Sequence, residues 1–334
     1  MSQGTKNRDK TAGELDALYA PVRDELGEVD AILRGELQSQ HSFVDRLVKH
    51  GFRLGGKRLR PALVLLSGRA CGQVRREHIV LAAAAELLHT ATLIHDDVLD
   101  EATLRRHLQT VNARWDNEAS VLLGDYLFAR SLCLVSSLGS IHACQALAEA
   151  SRVMCEGELR QIATRGNYDL SEDDYLSIIA DKTAVLYACC CRLGARFAGA
   201  GAEAEDALDR YGHQLGIAFQ IVDDVLDVLG DEDTTGKSLG TDLAKQKPTL
   251  PVIRLLQKAD PGRRGEITAS LSRGDNHQRE ALRPWLDHFD AVGYARRRAC
   301  EFIRSAVARL APLPGSTAKD CLVRIAEFVV TRQQ

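Results

Sequence analysis

The sequence predicts an all-α protein, and three observations carry that expectation. Only 8 prolines occur in 334 residues, no alternating runs of β-branched residues stand out, and Ala- and Leu-rich stretches with apolar residues three and four apart recur throughout. With 45% apolar residues the chain has ample material for a buried core. Residues 1–11 are polar and read as a disordered tail before a single all-α domain over 12–334. Glu14 to Arg34 forms the first amphipathic helix. Ser171 with Asp174 three residues later matches a capping box, which starts a helix at Tyr175 whose apolar run, Ala184 to Leu193, holds three adjacent cysteines. A further helix shows an apolar stripe of Leu208, Tyr211, Leu215, Phe219, Val222 and Leu226. A second stripe runs Gly212, Gly216, Gln220, Asp223 or Asp224, and Asp227, small at one end and acidic at the other. From Gly230 to Pro248 the periodicity stops and a long functional loop is expected. Helices then resume to the C-terminus, with breaks near Pro261, Gly274 and Pro312 to Gly315, and no solenoid repeat or domain boundary is evident.

Composition excludes several classes. With 43 basic and 46 acidic side chains the net charge is −3, so no general basic field exists to bind nucleic acid and any anion site must be local. No apolar run reaches the length of a membrane span, and Met1 to Lys10 leads into no signal-peptide core, so no transmembrane segment and a cytoplasmic location are expected. Nine cysteines without a CxxC pair suit reduced thiols packed as small apolar residues, not a zinc site. Neither a Walker loop nor GxGxxG is present.

The chemistry gathers on a repeated pentapeptide. DDVLD occurs at Asp96 to Asp100 and again at Asp223 to Asp227, each time after an apolar run. On a helix, Asp96 and Asp100 are four apart and Asp97 and Asp100 three apart, so the carboxylates share an edge. Six carboxylates (Asp96, Asp97, Asp100, Asp223, Asp224, Asp227) lining an apolar cavity need cations to stay ionised. All-oxygen ligands suit Mg²⁺, which keeps waters and shares its coordination with phosphates. The basic counterpart is Gly55-Gly56-Lys57-Arg58-Leu59-Arg60-Pro61, with Arg105-Arg106 after the first cluster and Lys182-Thr183 and Lys237 around the second. Carboxylates for metals beside cations for phosphates describe a diphosphate site.

These stretches resemble the trans-isoprenyl diphosphate synthases (polyprenyl synthetases), above all their long-chain, octaprenyl-like group. The resemblance runs from about residue 15 to the C-terminus through GGKRLRP (55–61), ELLHTATLIHDDVLDEATLRR (86–106), LLGDYLFARS (122–131), EGELRQI (156–162), DKTAVL (181–186), FQIVDDVLD (219–227) and KSLGTDLAKQKPTLP (237–251). It implies an isoprenoid-synthase type of helical bundle around a central cavity. It also implies that the six aspartates hold Mg²⁺, three ions per site, and that Arg105, Lys182, Thr183, Gln220 and Lys237 bind an allylic diphosphate, farnesyl or geranylgeranyl. Lys57, Arg60, His89 and Arg106 would bind isopentenyl diphosphate. The implied reaction is ionisation of the allylic diphosphate, attack by the isopentenyl double bond and loss of a proton, in a homodimeric enzyme whose product can be handed to a membrane.

Ala91 and Thr92 lie about one helical turn before Asp96 and should line the start of the hydrocarbon tunnel; the resemblance implies that Leu132 lies deeper in its wall. One turn of helix is about 5.4 Å, on the order of one isoprene unit, so the stop lies several turns deeper; small residues where short-chain relatives carry a bulky aromatic imply, by the same resemblance, a product of about C40, with a quinone side chain as its end use. Three positions depart from the family pattern: His107 and Gln246 stand where relatives carry Gly, and Thr331 to Gln334 lacks a second terminal basic residue. Competing expectations are a short-chain geranylgeranyl diphosphate synthase, a non-catalytic partner subunit and a terpene cyclase. Against the cyclase stand the second DDVLD and the Lys57/Arg60 site.

Overall fold

The computed structural model describes Gly13 and residues 15–53, 56–229, 240–272 and 278–331. The expected tail, Lys237 and the break at Gly274 lie outside these. The helices are α1 (Arg23–Glu36), α2 (Ser42–Arg53), α3 (Leu59–Cys71), α4 (Arg76–Leu99), α5 (Val111–Arg114), α6 (Asn117–Ser136), α7 (Ile141–Ala163) and α8 (Glu172–Ile179). They continue as α9 (Val185–Phe197), α10 (Ala202–Leu229), α11 (Thr241–Ala244), α12 (Leu250–Lys258), α13 (Pro261–Leu271), α14 (Gln278–His288), α15 (Ala291–Arg309) and α16 (Thr317–Thr331). Among the described residues the β-structure is one small hairpin, β1 (Leu104–Arg105) with β2 (Leu108–Gln109). The all-α expectation holds.

Some boundaries differ from those the sequence predicts, each for a local reason. Pro21 cannot continue a helix from the turns before it, so the first expected helix is split by a 3₁₀ turn at Ala20–Val22 and the regular part begins at Arg23. Ser171 does cap its helix, its hydroxyl accepting from the Asp174 amide, but α8 starts at Glu172, three residues before Tyr175. The expected loop contains one helical turn, α11. Pro261 begins α13, where a proline lacks no needed donor, and Asp260 caps it.

Two helices form the framework of the bundle. α4 packs most extensively on α6, while α10 lies between α9 and α15, and α3 joins them by packing on both α9 and α4. Leu208, Tyr211 and Leu215 are fully buried, Val222 nearly so, and Phe219 and Leu226 pack on the same core, so the apolar stripe of α10 faces inward as its spacing requires. The opposite stripe serves close approach at one end: a Cβ at Gly212 would fall 2.5 Å from the Tyr187 carbonyl oxygen, and one at Gly216 would fall 2.5 Å from Ala184 Cα. Cys189, Cys190 and Cys191 are buried in α9, and burial pushes the Cys189 and Cys191 thiols up to about 12, so they pack as unreactive apolar groups. Cys133 and Cys155, by contrast, are exposed, which corrects the expectation that the thiols are all packed inside.

α4 and α6 are both long and apolar enough to cross a membrane, but 78% of the apolar window of α4 is buried in the bundle, against 33% for α6. Because the obstacle at Gly212 is backbone, Gly212→Ala should destabilise the protein by about 1–3 kcal/mol through overpacking. Urea unfolding of the variant checks this, and an unchanged midpoint would contradict the contact.

Candidate active site

Both acidic clusters occupy the C-terminal turns of their helices, Asp96 to Asp100 on α4 and Asp223 to Asp227 on α10. That is the negative end of the helix dipole, where carboxylates are least favoured. The surroundings supply cations. Asp97 is buried, and its Oδ1 accepts from Arg105 Nη2 at 2.8 Å. Lys247, itself only 5% exposed, donates from Nζ to Asp100 Oδ1 at 2.8 Å and lies 3.4 Å from Asp242 Oδ1. The Asp242 amide in turn donates to Asp227 Oδ2 at 3.1 Å, so the two clusters are stitched together through one buried lysine.

Lys182 and Thr183 sit on a π-helical turn, Ala180–Ala184, a geometry that recurs at functional sites. The turn presses on α7 so closely that a Cβ at Gly157 would lie 2.4 Å from the Lys182 amide nitrogen. Lys182 Nζ donates to Gln161 Oε1 at 2.8 Å and pairs with Glu158 at 2.5 Å. Thr183 donates to Gln220 Oε1 at 2.8 Å, and Gln220 Nε2 donates to Asp224 Oδ1 at 2.7 Å.

The six aspartates are not equivalent. Asp224 is 4% exposed, and its second oxygen accepts from the Tyr175 hydroxyl at 2.6 Å. Burial, with Asp242 adding and the Tyr175 and Gln220 hydrogen bonds opposing, pushes its carboxyl up to about 8. Asp227 is 2% exposed and accepts from the Thr241 hydroxyl and the Asp242 amide. Asp96, Asp100 and Asp223 are the less buried members. Burial raises the Asp96 carboxyl, with Lys182 and Arg105 opposing and Glu158 and Asp100 adding. At Asp100 burial also acts upward but is overridden, first by Lys247 and then by Lys182 and Arg165, so the net shift is down. Protein donors already engage one oxygen of Asp97 and both of Asp224 and Asp227, while the second oxygen of Asp97 is buried and meets no donor among the described residues. Among the described residues no group of three His, Cys, Asp or Glu side chains could cage an ion alone. The remaining oxygens fit a hard cation that keeps water and takes the rest of its ligands from a phosphate.

The hairpin after α4 explains how two consecutive arginines point to different places. Arg106 and His107 are its two central residues, with φ of 54° and 62°, the positive pair of a type I′ turn. Thr110 and Asn112 anchor it by donating to the Ala102 carbonyl at 2.7 and 3.0 Å. Arg105, on the strand, turns to Asp97, whereas the Arg106 guanidinium lies against Gly56, where a Cβ would meet Nη2 at 3.1 Å. His89 on α4 is half-buried among arginines: burial first, then Arg60, Arg105, Arg106 and Arg58, hold its imidazole well below the usual range. Arg60 is buried, stacks 4.6 Å over Tyr187 and leaves Nε without an acceptor among the described residues. Lys57 is exposed beside it. Arg58 is committed elsewhere, pairing with the buried Glu86 at 2.9 Å and with Asp30 at 3.0 Å.

Of the expected tunnel residues, Ala91 is buried and Thr92 is half-buried, its hydroxyl donating to the His89 carbonyl at 2.8 Å. Leu132, on α6, is 37% exposed. Sequence reasoning missed Lys247, Asp242, Tyr175, Glu158, Gln161 and Glu86 as parts of the site. Glu86 opens the ELLHT stretch, Glu158 and Gln161 lie in EGELRQI, and Asp242 and Lys247 lie in KSLGTDLAKQKPTLP, so a signal existed for those five; for Tyr175 there was none.

A helical bundle that brings twin aspartate clusters together beside an arginine-lined pocket is an all-α prenyltransferase of the isoprenoid-synthase type. The chain belongs to the polyprenyl synthetase family, which residues 41–286 match. It is 36% identical over 323 residues to the octaprenyl diphosphate synthase of Escherichia coli (strain K12), covering 96% of this chain and 99% of that one. It is 37% identical over 322 residues to heptaprenyl diphosphate synthase component 2 of Geobacillus stearothermophilus, covering 96% and 99%. In structure it is similar to the polyprenyl synthase of Caulobacter crescentus CB15 complexed with calcium and isoprenyl diphosphate, with a TM-score of 0.92, 35% identity and 96% and 98% of the two chains covered.

Two outcomes follow from this geometry. The positive φ at His107 costs a side-chain-bearing residue on the order of 1 kcal/mol, so His107→Gly should raise the melting temperature and leave turnover within about tenfold; a lowered melting temperature would contradict the turn. For His89 the unfolded chain takes up a proton near pH 6.5, whereas the folded imidazole resists it, so this residue's share of stability is complete above about pH 6.5 and lost as the pH falls. The unfolding free energy of the wild type should therefore decline more steeply from about pH 7 to about pH 5 than that of His89→Gln. Parallel curves would show that the arginines do not crowd this ring.

Proposed function

We propose that the chain is a Mg²⁺-dependent trans-prenyl diphosphate synthase that elongates farnesyl or geranylgeranyl diphosphate with isopentenyl diphosphate to a product of about C40, a length supported by the octaprenyl diphosphate synthase it resembles. The observation that carries this reading is the joining of the two aspartate clusters through Lys247 and Asp242, with Arg105 on Asp97 and Lys182 on Glu158 beside them, next to a separate arginine pocket around His89. One cluster of charges serves each diphosphate. Asp96, Asp97, Asp100, Asp223, Asp224 and Asp227 are assigned to the metal, and the protein donors on Asp97, Asp224 and Asp227 hold those carboxylates in place. Arg105, Lys182, Thr183, Gln220 and Lys237 are assigned to the allylic diphosphate, and Lys57, Arg60, His89 and Arg106 to isopentenyl diphosphate.

The metal, when bound, neutralises charge growing on the departing diphosphate. Lys182 and Arg105 add fixed positive charge at the same place, already oriented by Glu158, Gln161 and Asp97 and so needing no reorganisation as the bond breaks. The arginines around His89 hold the second substrate's diphosphate so that its double bond lies near the developing cation. Apolar surroundings such as Ala91 exclude water from that cation. The departed diphosphate accepts the proton, and a side-chain base is not required.

We further infer a single cytoplasmic domain acting as a homodimer through the outer face of α6, where Val121, Leu122 and Leu132 are exposed, and a product destined for a quinone side chain. A second reading, a subunit that works only with a partner chain, draws support from the Geobacillus relative's name, which calls it component 2. A short-chain geranylgeranyl product is the third.

Incubating the purified chain alone with Mg²⁺, labelled isopentenyl diphosphate and farnesyl diphosphate, then chromatographing the dephosphorylated products, distinguishes them. Long prenyl alcohols that vanish with a chelator and become shorter in Ala91→Phe are expected. No product from the chain alone would favour the partner-dependent subunit, and unchanged length in Ala91→Phe would remove the tunnel assignment.

A further inference from the structure

A cation outside the family motifs stands close to the first acidic cluster. Arg165 follows the end of α7, and its Nε and Nη2 are buried yet meet no acceptor among the described residues. A buried guanidinium left so is costly, because its desolvation is not repaid by hydrogen bonds. The neighbourhood is well ordered by other contacts. The Gly166 amide donates to the Gln246 carbonyl at 2.8 Å, which ties this loop to the segment that carries Lys245 and Lys247. Lys245 pairs with Glu101 and Lys247 with Asp100, and the Arg165 charge lies close enough to act on both carboxylates without hydrogen-bonding to either. Arg165 is thus held near Asp100 and Glu101, with Nε and Nη2 meeting no protein oxygen among the described residues.

We propose that Arg165 is a further diphosphate-binding residue of the allylic site, its unsatisfied nitrogens taking phosphate oxygens beside Asp100. This rests on the functional reading above. The planar fork of a guanidinium matches two phosphate oxygens in a way that a lysine point charge does not. Arg165 also has no share in the pocket around His89, whose surrounding charges are Arg58, Arg60, Arg105 and Arg106, so it should discriminate between the two substrates.

The experiment is calorimetric titration of inorganic pyrophosphate with Mg²⁺ into the wild type, Arg165→Met and Arg165→Lys, with KM measured for both substrates. Arg165→Met should weaken pyrophosphate binding about tenfold and raise the allylic KM alone, and Arg165→Lys should recover part of the loss. Unchanged pyrophosphate affinity, or an equal rise in both KM values with a lowered melting temperature, would overturn the proposal. A wild type that binds no pyrophosphate at all would instead overturn the functional reading beneath it.

Discussion

The structure depends on an electrostatic arrangement that folding alone would disfavour: two sets of carboxylates at the C-terminal ends of α4 and α10. Each helix terminus disfavours an acidic group by about 0.3–1 kcal/mol, and partial burial adds a larger desolvation cost. The compensation is a set of cations brought from four other segments. Arg105 comes from the hairpin, Lys182 from the π turn, Lys247 from the stretch before α12, and Arg165 from the end of α7. None of these lies on the helix it serves. The acidic ends are therefore stable only when the whole bundle is assembled.

The same arrangement divides labour among residues that look alike. Asp97, Asp224 and Asp227 are deep and engaged by Arg105, Tyr175, Gln220, Thr241 and the Asp242 amide. They hold the cations and loops in register. Asp96, Asp100 and Asp223 are less buried and lie nearer what enters the site. Arg58 is likewise neutralised by Glu86 and Asp30, which leaves an anion in this pocket to the cations on either side of it, Lys57 and Arg60. Backbone strain is accepted for the same end. Arg58, Arg106, His107 and Gln246 all adopt positive φ without being glycine, and each borders a charged part of the site.

The division between legible and hidden features follows physical range. The amphipathic stripe of α10, the repeated DDVLD, the basic GGKRLRP and the all-α class were readable because helical periodicity and short spacing are local properties of a chain. Membership of the polyprenyl synthetase family was readable for the same reason, since its motifs are short contiguous stretches. The helix starts missed by a few residues reflect a proline that interrupts the periodic pattern at Pro21 and a cap that precedes it at Ser171. The unusual residues at 107 and 246 were visible in the sequence, but not that both positions carry left-handed backbone.

By itself the sequence determined which side chains share a helix edge, that six aspartates require cations, and which chemistry those cations and a basic motif can serve. Only the tertiary structure decided which aspartates lie deep and which nearer the opening, that Lys247 links Asp100 to Asp242, that Tyr175 holds Asp224, and that Leu132 is exposed. The reason is the length scale of the forces: periodicity acts over a few residues of one segment, whereas burial and ion pairing depend on which distant segments arrive at the same point, as Asp100 and Lys247 do across 147 residues.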